Sequence, residues 1–158
     1  MYENLIYSSN KASIKDISKA ENRIGYKLPD AYVSFCRVYN GAKLKHAKTS
    51  VPKDNQYEVR CFVPIETVGI SNVELWDVSL VAIAEDSGGN FFVLKKPDLN
   101  SVYFWDHETD DLELLCDTFD VFLNLIEEDD YSDVPKAQNA TGWINPAFLK
   151  KQKDLGNA

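Results

Sequence analysis

SVYFWDHE, residues Ser101–Glu108, sets four strand formers in a row: Val102, Tyr103, Phe104 and Trp105. Aromatic and β-branched side chains favour the extended backbone, and Asp106, His107 and Glu108 then end the run in a charged turn. Just upstream, AEDSGGNFFVL (Ala84–Leu94) reads as the end of a strand, a Gly-Gly turn and a returning strand. Leu80–Ala84 is apolar throughout, as suits a central, buried strand. Downstream, Thr109-Asp110-Asp111 turns the chain again and Leu112–Cys116 returns. These segments predict an antiparallel meander, and the rest of the chain is read as what covers it.

Towards the N-terminus, Ser13 stands where a helix cap belongs, with Asp16 three residues on. Ile14, Ile17 and Ile24 space as one apolar stripe, and Gly25 is a natural stop. Pro29 suits the first position of a second helix, whose stripe is Tyr32, Phe35, Cys36 and Tyr39, closed by Asn40-Gly41. Residues 1–11 read as a poorly specified leader. Residues 42–56, with Lys43, Lys45, His46, Lys48 and Lys53, read as a mobile polar loop. Tyr57–Ile65 reads as a strand that Pro64 places at an edge or a bulge. Residues 66–77 read as a short irregular or helical segment anchored by Trp76.

After the meander, Asp117 or Thr118 caps a last helix with Phe119, Phe122, Leu123 and Ile126 on one face. Glu127, Glu128, Asp129 and Asp130 crowd its negative end, a placement that frays the helix or serves a partner. From Tyr131 the tail reads as loop, with Trp143 and Phe148 as late anchors. The expected fold class is α+β. It is a single domain over residues 1–158, with a core over about 12–130 and a C-terminal extension over 131–158. Its mostly antiparallel sheet of about five to six strands packs against N-terminal helices and a C-terminal helix.

A chain of 158 residues that is 44% hydrophobic and 12% aromatic has enough apolar mass for one ordinary core. It has no apolar run of bilayer length, and MYENLIYSSNK lacks the basic and apolar regions of a signal peptide, so a cytoplasmic protein is expected. Cys36, Cys61 and Cys116 lie far apart without ligand spacing and read as small buried hydrophobes. The Asn139-Ala140-Thr141 sequon, without a secretion signal, reads as chance.

The net charge of −8 is unevenly spread. Residues 1–60 carry 11 Lys/Arg against 6 Asp/Glu, and residues 98–158 carry 4 against 14. Between Pro97 and Pro135 there is no Lys or Arg, while 13 of the 25 acids lie there. Such a field repels nucleic acid and anionic lipid and attracts basic proteins. A merely soluble acidic surface has the same composition.

Taken in order, LP-x-x-Y (Leu28, Pro29, Tyr32), Asn40-Gly41, Asp86-Ser87-Gly88-Gly89 and VYFWDHE (Val102 to Glu108) resemble the SUKH superfamily of Smi/Knr-type domains. The likeness runs from about Ile14 to about Glu128. Ala42 stands where members often carry another Gly, and a tryptophan often seen near the start is missing. The resemblance implies an α+β domain with a mostly antiparallel sheet flanked by helices. It also implies a non-catalytic role. Bacterial members look like immunity proteins that neutralise polymorphic toxins, often nucleases. The fungal relative looks like a regulatory scaffold.

A neutraliser of a nuclease needs a surface that suits a basic protein. The candidate contact residues are Glu85, Asp86, Asp106, Glu108, Asp110, Asp111 and Glu113 near the hairpin ends, with Glu127, Glu128, Asp129 and Asp130 as a second patch. Tyr103 and Trp105 are candidate aromatic anchors. Taken singly, each acid is better read as a solvated surface residue than as a contact. The expected partner is a basic protein toxin bound one to one, with no nucleic acid, no membrane and no cofactor. The alternative is a regulatory or scaffolding domain with another protein client. Catalysis finds little support. His107 reads as a strand-end residue bonded to its neighbours, and no P-loop, nucleophile elbow or HExxH occurs. Asp110, Asp111 and Glu113 could meet Ca²⁺, but they lack the EF-hand pattern.

Overall fold

The computed structural model describes residues 1–70 and 77–130. Trp76, Trp143 and Phe148 therefore lie outside the described residues. α1 spans Ile14–Ile24 and opens with a reciprocal capping box. The Ser13 hydroxyl accepts the Asp16 N–H at 3.1 Å, and the Asp16 carboxylate accepts the Ser13 N–H at 3.1 Å. Gly25, at φ 77°, ends the helix in the left-handed conformation that glycine adopts without a Cβ clash. The buried stripe is Ile17, Ala20 and Ile24. Ile14, expected on it, sits one turn ahead and is 68% exposed.

α2 spans Asp30–Tyr39, with Pro29 as its cap residue and Tyr32, Phe35 and Cys36 buried. It passes directly into β2, Asn40–Leu44. Asn40 is buried there as a clasp. Its Oδ1 accepts the Ile65 N–H at 2.8 Å, and its Nδ2 donates to both Glu66 carboxylate oxygens at 2.9 and 3.1 Å.

The remaining strands are β1 (Ile6–Asn10), β3 (Ala47–Thr49), β4 (Cys61–Phe62), β5 (Leu80–Glu85), β6 (Phe91–Lys95), β7 (Val102–Trp105), β8 (Leu112–Cys116) and β9 (Ile126–Glu128). Seven form an antiparallel sheet in the order β1-β2-β4-β5-β6-β7-β8, and β3 pairs with β9 apart from it. The fold is α+β, as expected, with more strands than expected.

Three stretches depart from expectation. The supposed leader is a 3-10 turn over Tyr2–Leu5 followed by β1, which pairs with β2. The supposed mobile loop supplies β2 and β3: Ala42, Leu44, Ala47 and Thr49 are buried, while Lys43 points out. The supposed strand Tyr57–Ile65 is shared between the two sheets. Glu58 bridges Lys48, and only Cys61 and Phe62 form β4, between β2 and β5 and not at an edge. Pro64, which lacks a ladder N–H, falls just beyond that short strand.

The last helix, α3, covers Phe119–Leu125 and is capped by Thr118, whose hydroxyl accepts the Val121 N–H. Ile126 is buried but belongs to β9. The core lies between the helices and the inner face of the sheet. Phe35 meets Phe62 at 4.4 Å between centroids, Tyr32 meets Phe119 at 5.1 Å, and Phe92 meets Phe122 at 5.1 Å. No helix among the described residues is long and apolar enough to cross a membrane.

Candidate interaction surface

The meander brings two acidic turns to one end of the sheet. β5 and β7 run towards that end, so the turn after Glu85 and the turn after Trp105 lie side by side. Asp86 folds back over its own turn: Oδ1 accepts the N–H groups of Gly88 and Asn90, each at 2.8 Å, and Oδ2 accepts from Asn90 Nδ2 at 2.8 Å. Asp106 does the same in the next turn, where its Oδ1 accepts the Glu108 N–H at 2.8 Å. Such short-range bonds are why Asp and Asn favour turns. Asn90 then joins the two turns. Its Oδ1 accepts the His107 N–H at 3.1 Å and lies 2.8 Å from His107 Nδ1. His107 is thus a strand-end residue held by a neighbour, and its ring lies over Gly89, whose φ is 93°.

Two further acids are engaged at this rim. Glu85 pairs with Arg60 and accepts from Cys61 Sγ at 3.1 Å. Glu58, which the sequence did not single out, accepts the Ser87 N–H at 2.9 Å and the Ser87 hydroxyl at 3.0 Å. Glu108 and Asp111 are exposed.

The outer face of the sheet, opposite the helices, carries a second apolar cluster. Leu80, Val93 and Trp105 are buried there, with Phe91, Tyr103 and Leu112 half-buried around them. Trp105 is only 3% exposed, so it is not the open anchor that the sequence suggested. Its Nε1–H donates to Asp110 Oδ1 at 2.7 Å, and its ring stacks on Phe91 with centroids 6.2 Å apart. Tyr103 stays partly open, and Leu114 beside it is 53% exposed. Glu113 turns to the inner face and accepts the phenol of Tyr57, whose ring stacks on Phe104 at 3.6 Å. Burial first, and then Glu113, pushes the Tyr57 phenol up to about 12.

The second acidic patch is built differently from expectation. Glu127 and Glu128 do not end a helix; they lie in β9, opposite Lys48 and Ala47 of β3. Asp129 pairs with Lys48 at 3.2 Å. Asp130 is exposed beyond the strand. The basic stretch and this acidic stretch therefore partly neutralise each other. Among the described residues, no group of three His, Cys, Asp or Glu side chains is set to hold a metal ion.

A model of the SMI1 / KNR4 family (SUKH-1) matches residues 11–125, from just before α1 to the end of α3. No curated protein matches the chain.

Proposed function

We propose that this chain, which belongs to the SMI1 / KNR4 family (SUKH-1), is an immunity protein. It binds one cognate toxin, a basic protein such as a nuclease, one to one and without turnover. The family resemblance supports that role. The observation that carries the choice of surface is the pair of acidic turns, joined by Asn90 and His107, that rims the apolar outer face. A basic partner would be steered by the rim and anchored on Tyr103 and Leu114.

Several acids are fixed by turn bonds, and a pre-ordered charge costs little to immobilise on binding. Glu108 and Asp111, exposed at the rim, are the carboxylates best placed to meet a partner's Lys or Arg. Burying such a pair under a protein interface strengthens it relative to open water.

The test is capture by the tagged full chain from secreted and cytosolic proteins of the source organism, at low and high salt. The captured partner is then expressed alone and together with this chain. The expected result is one basic partner, released by salt, that arrests growth alone and not in co-expression. A Glu108→Lys/Asp111→Lys double variant should fail to protect. Capture of several housekeeping proteins at any salt, with no toxicity, would replace immunity with the regulatory-scaffold reading.

A further inference from the structure

Among the described residues, the register of β7 and β8 leaves one main-chain edge of the sheet open. The Asp106 N–H donates to the Asp111 carbonyl at 3.0 Å, so these two residues form a hydrogen-bonded pair. The same register sets Trp105 opposite Leu112, Phe104 opposite Glu113 and Tyr103 opposite Leu114. Bonded and non-bonded pairs alternate along an antiparallel ladder. Glu113 therefore directs its N–H and C=O to β7, and Leu112 and Leu114 direct theirs away from it. β8 ends the strand order, and among the described residues no strand takes up those outward groups.

The opposite edge is built to refuse a partner, and β8 is not. β1 pairs with β2 through irregularities on both sides of Ser8. Bulges of that kind twist an edge out of reach. The irregularity between β7 and β8 lies at Val102 and Tyr103, so Leu112–Leu114 stays regular. β8 contains neither Pro nor Lys, two devices that block strand addition. Its single charged side chain, Glu113, stays exposed while it accepts from the Tyr57 phenol.

We propose that β8 is a docking edge for an extended, basic segment of a partner protein, which adds as a further strand through the outward main-chain groups of Leu112 and Leu114. The occupant's charge follows from its surroundings. Asp106, Glu108, Asp110 and Asp111 flank the edge, in a stretch of sequence without Lys or Arg. Alternate apolar side chains of the added strand would rest on Leu114 and Tyr103. A second copy of this chain fits less well, since two β8 strands paired edge to edge bring acidic segments together. The inference rests on the proposed function for the partner being a protein, and goes beyond it in fixing how that partner is held.

The test is residue-resolved amide hydrogen exchange of the full chain, with synthetic peptides of about nine residues as probes. One alternates Lys and Val, the other Glu and Val. The Lys/Val peptide should slow exchange at Leu112 and Leu114 about tenfold at about 90% occupancy, and the Glu/Val peptide should not. Leu114→Pro deletes an outward N–H without removing a bond to β7, so it should abolish the protection; Leu114→Ala should keep it.

Equal protection by both peptides would overturn the charge argument, and unchanged protection in Leu114→Pro would overturn the edge. Amides at Leu112 and Leu114 already protected in the free chain would also overturn it. Protection that grows with protein concentration would assign the edge to a second copy, and protection independent of concentration would assign it to the chain itself. A toxin neutralised equally by Leu114→Pro and the parent chain sinks the edge alone. A missing toxin sinks the immunity reading alone, because the peptides read the edge directly.

Discussion

One side chain, Asn90, holds His107 through both its backbone N–H, at 3.1 Å, and its ring nitrogen Nδ1, at 2.8 Å. Two turns that are separate in sequence are thereby fixed as one rim. Asn90→Ala removes these bonds together with the one to Asp86. The expected cost is about 1–2 kcal/mol of unfolding free energy, read as a lower urea midpoint with an unchanged slope. An unchanged midpoint would show that the rim holds without this clamp.

Asp110 combines two demands: its carboxylate accepts the Trp105 indole N–H, and its backbone sits at φ 60°. Asn meets both, since it tolerates the left-handed region and keeps an acceptor. Asp110→Asn should therefore stay within about 0.5 kcal/mol of the parent, while Asp110→Ala should lose about 1–3 kcal/mol by orphaning a buried donor. Urea unfolding ranks the two variants, and equal losses would refute the argument.

Lys48 faces Glu127 across the β3–β9 ladder, bridges Glu58 and pairs with Asp129 at 3.2 Å. Lys48→Glu would set an acid among three others. Like charges placed opposite each other weaken a sheet pair, and a loss of about 1–2 kcal/mol is expected. Added salt should recover part of it, because salt screens repulsion. A loss unaffected by salt would point to packing instead.

Burial pushes the thiols of Cys36 and Cys61 up to about 12 and that of Cys116 to about 11, from an ordinary 9.0. Burial and Glu113 raise the Tyr57 phenol to about 12 from 10.0. Each folded value lies above its unfolded one, so the folded state keeps the proton longer. The stabilisation is complete below the unfolded value and is lost as pH rises towards the folded one. Stability should hold up to about pH 8 and fall between about pH 9 and pH 12. Cys36→Ala, with one such group removed, should show a shallower fall when thermal melts are compared across that window.

What was legible in the sequence was local. Ser13, Asp16 and Gly25 announce both ends of α1 because capping depends on neighbours only. The β5–β8 meander was legible because its strands are apolar and its turns carry Gly, Asn and Asp. β1 was not, since four of its five residues are exposed and its existence depends on pairing with β2. β2 and β3 hid because, of their inward residues, only Leu44 is strongly apolar, while Ala42, Ala47 and Thr49 are barely so between the lysines. β9 is three residues long, and its state is decided by β3. At the rim, the acids were legible as turn residues. The tie from Trp105 to Asp110 was not, because it depends on one backbone angle.

The β3–β9 ribbon joins residues far apart in the chain, whereas β5 to β8 each pair with the strand made just before. Local pairings form fast, and distant ones wait for loop closure. During synthesis the meander can assemble once Cys116 has emerged, while β3 keeps one flank unpaired until Glu128 follows. The newborn protein thus carries a temporary sticky edge, and Glu127 and Glu128, made after the whole meander, lie in the strand that closes it.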